Sequence, residues 1–187
     1  MNSFKPFFMP PSHQPTHRYP GIHPFRQEEE ALFFGRSEES KQLFDMICVE
    51  KLVVLFGKSG IGKTSLLNAG MTPFLSPANY LPIFIRFNDP AYSPEAHFSS
   101  QFLETAARVS GLPEPENASG TLWELIKSVP LSSNGSAPVP VFVLDQFEEL
   151  FTRYEAPARQ NFVRQLADLV SGDLPGEVQD SVVQRIE

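Results

Sequence analysis

One eight-residue stretch constrains this chain more than any other: Gly57-Lys58-Ser59-Gly60-Ile61-Gly62-Lys63-Thr64. It meets every fixed position of the pattern G-x-x-x-x-G-K-[ST]. Glycines at these positions let the backbone curl, so that successive N–H groups converge on an anion. A helix starting there directs its free amides and its dipole at the same point. The context agrees: Leu52-Val53-Val54-Leu55-Phe56 is a continuous apolar run that runs straight into the loop. Such a run reads as a buried parallel strand. A short helix is expected from Lys63 to about Ala69, with Gly70 near its end. The loop reads as a phosphate cradle in which Lys63 reaches the β- and γ-phosphates of a nucleotide and the Thr64 hydroxyl holds Mg²⁺. Lys58 and Ser59 occupy variable positions, with no special side-chain role, and Ile61 and Ser65 complete the phosphate-side stretch.

The rest of the chain supplies strands and helices in alternation. Ser37 is expected to cap a helix running to about Val49, with Leu43, Phe44 and Ile47 as its apolar stripe. Ile83 to Phe87 reads as a second strand with Pro82 at its start, where a missing N–H is tolerated. Ser93-Pro94-Glu95 is a helix start of cap, N1 proline and first-turn acid, continued by Phe98, Phe102, Ala106 and Val109 on one face. Thr121 and Glu124 form a capping-box pattern for a short helix bearing Trp123. Loops are expected from Gly111 to Gly120 and from Pro130 to Pro140. Val141-Phe142-Val143-Leu144 is a third buried strand ending at Asp145. Pro157 opens a helix with Phe162, Val163, Leu166, Leu169 and Val170, closed by Gly172. This alternation predicts an α/β fold: a three-layer P-loop NTPase with a parallel sheet and helices on both faces.

Composition narrows the function. The chain has 187 residues, enough for one α/β domain with short appendages, and its 41% hydrophobic content supports a core. Residues 1–18 are rich in Pro, Ser, His and Gln and read as a flexible tail; 19–50 form a lead-in and first helix, and 51–187 the NTPase core. The net charge of −7 argues against a nucleic-acid surface. His13, His17 and His23 lack the Cys or acidic companions of a metal site. The single cysteine, Cys48, excludes an internal disulfide, and its apolar helical setting predicts a buried small hydrophobe. Prolines at 6, 10 and 11 interrupt what would be the apolar segment of a signal peptide. No apolar run approaches the ~20 residues of a membrane helix. The expectation is a cytoplasmic protein with no membrane partner, for which the acceptor pattern Asn117-Ala118-Ser119 has no meaning.

A second acidic motif follows the third strand. An acid at the tip of such a strand can hold Mg²⁺ through water, which makes Asp145 the candidate metal residue beside Thr64. Hydrolysis needs a carboxylate to orient or deprotonate the attacking water, and either Glu148 or Glu149 can supply it. The plain alternative is that both are solvated or pair with a cation such as Arg153. Gln146 stands where a Glu commonly follows the Asp, which counts against fast hydrolysis but not against binding. No Asn-Lys-x-Asp guanine motif is present, the acidic strand lacks Asp-x-x-Gly, and no Leu-Ser-Gly-Gly-Gln-type signature occurs. A GTPase and an ABC subunit are therefore disfavoured.

With these residues in hand, the chain resembles the STAND signalling ATPases, in particular the novel STAND NTPases. The resemblance rests on Tyr19-Pro20-Gly21-Ile22-His23-Pro24-Phe25, Phe33-Phe34-Gly35-Arg36, the phosphate loop with Ser65-Leu66-Leu67-Asn68-Ala69-Gly70, and Val143-Leu144-Asp145-Gln146-Phe147-Glu148-Glu149-Leu150-Phe151. It implies an ATP-driven switch that rests with ADP, exchanges to ATP on sensing a ligand, and self-associates or engages a protein partner in signalling or defence. It also implies that Phe34, Gly35 and Arg36 lie on the adenine side. The related NACHT proteins place acids three and four residues after the metal Asp, which matches Glu148 and Glu149. Members usually carry sensor and repeat domains after the core, and none is evident here.

The resemblance further implies a sheet in which a later strand lies between the strand ending at Asp145 and Leu52–Phe56. Ser181-Val182-Val183-Gln184-Arg185-Ile186 is the remaining candidate, so the sheet is expected to lack its last core strands. The expected activity is a slow ATPase when complete or assembled. The alternative is a non-catalytic nucleotide-binding or interaction module.

Overall fold

The structure, a computed structural model, describes residues 23–76, 78–113, 120–132, 137–176 and 178–179. The tail, Tyr19–Ile22, Asn117–Ser119 and Ser181–Ile186 lie outside the described residues. The fold is α/β, with a parallel sheet. The chain divides into two compact units, Met1–Leu81 and Pro82–Glu187, the division falling within the first strand.

The first unit is helical where it is regular. A 3₁₀ turn, Gln27–Leu32, begins with the Glu29 carboxylate accepting the Arg26 amide at 2.9 Å. Helix α1 (Ser37–Val49) buries Ser40 and Leu43. Ser37 is its first residue rather than its cap, a place taken by Arg36, whose side chain makes no capping bond. The helix after the phosphate loop also departs from expectation. It does not end near Gly70 but runs on as α2 (Lys63–Ser65), a π-helical segment (Leu66–Met71) and α3 (Thr72–Leu75). Pro73 accounts for the π segment. A proline at an α-helical position clashes with the carbonyl four residues back, and a shift to π register relieves the clash without ending the helix. Consistent with that register, the Thr72 hydroxyl donates to the Leu67 carbonyl, five residues back.

Gly70 is where this helix meets its neighbours. A Cβ there would lie 2.5 Å from Ser40 Oγ and 2.9 Å from Phe33 Cε1. The glycine is thus required by close packing, not by backbone conformation. Cys48 corrects the sequence expectation: the thiol is exposed, because it falls off the Leu43 stripe of α1. It lies beside Tyr80, and this contact raises the pKa of the phenol.

The apolar run Leu52–Phe56 forms no strand among the described residues. Leu52, Val54 and Phe56 are 63%, 72% and 86% exposed. The sequence pattern identifies residues suited to a buried strand, but a strand exists only by pairing, and this segment pairs with no described strand.

β1 (Tyr80–Ile85), which enters the second unit at Pro82, and β2 (Val139–Leu144) form a two-stranded sheet. Both strands start earlier than expected, so Pro82 and Pro140 lie inside them. A two-stranded sheet leaves each strand an open edge, which tolerates a missing N–H. For the same reason β2 is only partly covered, with Val143 its one buried residue. The Asp145 amide donates to the Ile85 carbonyl at 3.1 Å and carries the pairing one residue past β2.

Three helices pack around this sheet's apolar side chains. α4 (Pro94–Ser110) starts as expected, with Ser93 Oγ accepting the Ala96 amide at 3.2 Å, and ends on Gly111. It buries Phe98, Phe102 and Ala106. α5 (Leu122–Ser128) has the expected capping box, the Thr121 amide donating to Glu124 at 2.8 Å. α7 (Ala156–Ser171) carries Pro157 in its first turn and ends on Gly172, though Val163 faces solvent. A short α6 (Glu149–Arg153) was not anticipated. Phe87 centres an aromatic cluster, with ring centroids 5.3 Å from Phe162, 6.1 Å from Phe147 and 6.4 Å from Tyr154.

Candidate functional site

The phosphate loop belongs to the first unit. Gly60 and Gly62 have φ of 80° and 83°, left-handed conformations that side chains other than glycine rarely adopt. Helix α2 begins at Lys63, directly after Gly62. The Lys63 ammonium folds back and donates to the carbonyls of Gly57 at 2.9 Å and Lys58 at 3.2 Å. Thr64 follows, half-buried at the start of the helix, and Ser65 is buried. These features fit a phosphate group: left-handed glycine turns, an ammonium at the loop, and a hydroxyl one residue on.

The lead-in residues are tied to this loop and its helix by side chains that sequence reasoning did not assign to such contacts. Arg36 Nη1 donates to the Ile61 carbonyl at 2.9 Å and reaches the Gly62 carbonyl at 3.5 Å, while its Nε pairs with Glu39 at 3.2 Å. The Phe25 amide donates to Ser65 Oγ at 3.1 Å, and Asn68 Nδ2 donates to the Phe25 carbonyl at 3.2 Å. Phe25 and Phe33 meet edge to face at 5.6 Å. Phe34 is 79% exposed, and Gly35 sits beside it with a φ of 84°. Of the three adenine-side candidates, Phe34 and Gly35 are open to solvent, whereas Arg36 is engaged with the loop backbone.

The acidic motif belongs to the second unit. Asp145 is buried, and its Oδ2 accepts from Arg86 Nη2 at 2.6 Å. Gln146, next in the chain, has a left-handed φ of 58° and turns the backbone into α6. The motif's apolar members are structural: Leu150 is fully buried and Phe147 joins the Phe87 cluster. Glu149 pairs with Arg153 Nε at 3.2 Å. Glu148 occupies the N-cap position of α6, and its carboxylate is exposed and makes no ion pair among the described residues. Arg86 is the site neighbour that sequence reasoning missed. The available signal was a lone cation in the last part of an otherwise apolar strand.

The loop between β1 and α4 is fixed at one carbonyl. Asp89 O accepts from His97 Nε2 at 2.7 Å and from the Tyr154 hydroxyl at 3.2 Å. Because the acceptor is a carbonyl, His97 Nε2 carries the proton. Burial, then Asp89, raises the Tyr154 pKa, so the phenol stays a donor at neutral pH.

A family model described as Novel STAND NTPase 1 matches residues 19–184. The chain belongs to the novel STAND NTPase 1 family. Neither a curated protein nor a solved structure matches it. Membership makes this STAND NTPase a nucleotide-binding signalling module. Among the described residues no cluster of three or more His, Cys, Asp or Glu could hold a metal ion. Magnesium in a P-loop protein does not need one, since phosphate oxygens and water complete its shell. No helix of the described residues is long and apolar enough to cross a membrane.

Proposed function

We propose that this STAND NTPase is an adenine-nucleotide switch that alternates between ADP and Mg²⁺-ATP. In this reading the phosphates lie on Gly57–Thr64, Lys63 leaves its loop carbonyls for the β- and γ-phosphates, Thr64 is the metal residue of the loop and Asp145 that of the acidic motif. Residues 51–187 serve as the core, 19–50 as its lead-in and 1–18 as a tail. The observation that carries the reading is the loop's form, with two left-handed glycines and the Lys63 ammonium held over the Gly57 and Lys58 carbonyls. Lys63 touches no core side chain through these bonds, so Lys63→Ala removes phosphate binding and leaves the fold. Titration calorimetry of both proteins with Mg²⁺-ATP tests this. Equal affinity, with both proteins folded by circular dichroism, would overturn the assignment. A competition with equal ATP and GTP tests the adenine preference.

Hydrolysis, where it occurs, is slow. Asp145 and Glu149 each already hold an arginine, which leaves Glu148 as the carboxylate open to a water. The same two ion pairs favour the second reading, a nucleotide-binding or interaction module without turnover. Gel filtration with ADP and with a non-hydrolysable ATP analogue separates the two readings. A switch changes its assembly state with the nucleotide, and a passive module does not.

A further inference from the structure

Within the second unit, the start of α5 and the middle of α7 border an open cleft of about 330 Å³, lined by Gly120, Thr121, Glu124, Asn161, Arg164 and Gln165. Two of these side chains are each fixed by one oxygen. Glu124 Oε2 accepts the Thr121 amide at 2.8 Å and the Thr121 hydroxyl at 3.1 Å. Gln165 Oε1 accepts the next amide, that of Leu122, at 2.8 Å. Each side chain keeps a second polar atom, and the two are opposite in kind: the Glu124 carboxylate accepts through Oε1, and Gln165 donates through Nε2. Neither atom has a partner among the described residues. Gln165 is only 8% exposed, yet no described side-chain polar atom is both sealed from solvent and unpaired. Its Nε2 is therefore reached from the cleft that Gln165 lines. The wall beside it is tied down, since Asn161 Nδ2 donates to Glu95 Oε1 on α4 at 2.7 Å and Asn161 Oδ1 accepts from Arg164 Nη2 at 2.8 Å. A Cβ at Gly120 would lie 2.6 Å from Glu124 Oε2, so the glycine leaves the carboxylate its seat.

We propose that this cleft binds an uncharged amide presented by a peptide chain, with Gln165 Nε2 donating to its carbonyl oxygen and Glu124 Oε1 accepting from its N–H. An amide carries one strong acceptor and one strong donor, the pair that the cleft answers. The first amides of α5 are already taken, so the two side chains, not the helix end, offer the bonds. Glu124 and Arg164 bring one charge of each sign, which gives an ionic ligand little net attraction. Among the described residues no aromatic ring lines the cleft, so a nucleobase finds no face to stack on. Both side chains are held before the ligand arrives, and binding need not order them. The Gln165 donor is also shielded from bulk water, where a hydrogen bond is stronger than on an open surface. The site belongs to the second unit alone and does not depend on the nucleotide reading.

The test is a titration of the full chain, ¹⁵N-labelled, followed by NMR. The probe is triglycine blocked at both ends, which offers peptide groups without charge or side chains, and sodium acetate is the comparison. The expected result is a saturable shift of the Gln165 side-chain NH₂ signals with the peptide and a weaker response to acetate. Gln165→Glu keeps an acceptor for the Leu122 amide and removes the donor, so peptide affinity falls about fivefold, the net worth of one neutral hydrogen bond. Glu124→Gln keeps the capping box, since either residue serves there, and turns the second acceptor into a donor. It weakens the peptide and strengthens acetate, reversing the preference. This variant serves alone if Gln165→Glu does not fold. A Gln165 signal that the peptide leaves unmoved, or a folded Glu124→Gln variant with the original preference, overturns the proposal. Acetate bound more tightly than the peptide by the unaltered chain overturns it as well, in favour of a carboxylate ligand.

Discussion

Arg36 Nη1 donates to the Ile61 carbonyl at 2.9 Å, so the residue at the N-cap position of α1 also braces the phosphate loop. A residue that shapes the loop acts on any nucleotide triphosphate, whereas one that touches the base discriminates between bases. Arg36→Ala is therefore expected to weaken ATP and GTP alike, by about tenfold for the loss of a charge-assisted hydrogen bond. Phe34→Ala, if Phe34 meets adenine, weakens ATP alone. Parallel titrations with both nucleotides separate the roles, and a changed ATP-to-GTP ratio in Arg36→Ala would return that residue to the base side.

Glu148 and Glu149 are adjacent but differently placed. Glu149 pairs with Arg153 along α6, while Glu148 is exposed at the helix start. Glu148→Gln is expected to lower ATP turnover about a hundredfold with affinity kept, as befits a group acting on water alone. Glu149→Gln removes a partly exposed ion pair and costs about 0.5 kcal/mol of stability, with a lesser effect on turnover. Single-turnover assays and thermal melts on both variants check the division. The opposite ranking of turnover would make Glu149 the base.

Gly70→Ala places a methyl against Ser40 Oγ and Phe33 Cε1 with no room for it. The expected loss is about 1–3 kcal/mol, the usual cost of overpacking. Denaturant unfolding measures it. Adding Ser40→Gly to the Gly70→Ala variant opens the closest contact and restores part of the loss; no restoration would place the strain elsewhere.

Gln165 is buried on α7, and its Oε1 accepts the Leu122 amide, the first of α5, at 2.8 Å. Gln165→Leu leaves that amide buried and unpaired, at a cost of about 1–3 kcal/mol. Gln165→Glu keeps an acceptor and is expected to lose less at neutral pH. Melting temperatures of the two variants rank them, and equal losses would mean that packing, not the hydrogen bond, is what Gln165 provides.

Local signals in the sequence were legible where their physics is local. The Ser93 cap, the Thr121–Glu124 box and the glycine stops at 111 and 172 depend on neighbours three or four residues away, and each stands in the structure. The left-handed turns at Gly60 and Gly62 were legible because the glycines that permit them lie within one contiguous stretch. What failed depended on partners distant in the chain. Leu52–Phe56 reads as a strand by composition, but pairing is decided elsewhere. Cys48 lies in an apolar stretch yet points off the buried stripe. The helix after the loop reads as ending near Gly70, but that glycine answers to close packing against Ser40 and Phe33, and the helix runs on to Leu75. Arg86 escaped notice because its partner lies 59 positions away, beyond the range of any local pattern.

The open run at Leu52–Phe56 bears on how this protein behaves in a crowded solution. Five consecutive apolar residues, free of proline and acid and rich in β-propensity, are the kind of segment that stacks on copies of itself. Lys58 follows the run one residue beyond Gly57, while Lys51 before it adjoins Glu50. The Lys58 charge, repeated in every copy, makes the in-register stacking of identical segments repulsive, in the manner of the gatekeeper residues that flank unavoidable hydrophobic strands. Lys58 thus gives this segment colloidal protection. That protection weakens as salt screens the charge, so a preparation clouds at lower concentration as its ionic strength rises.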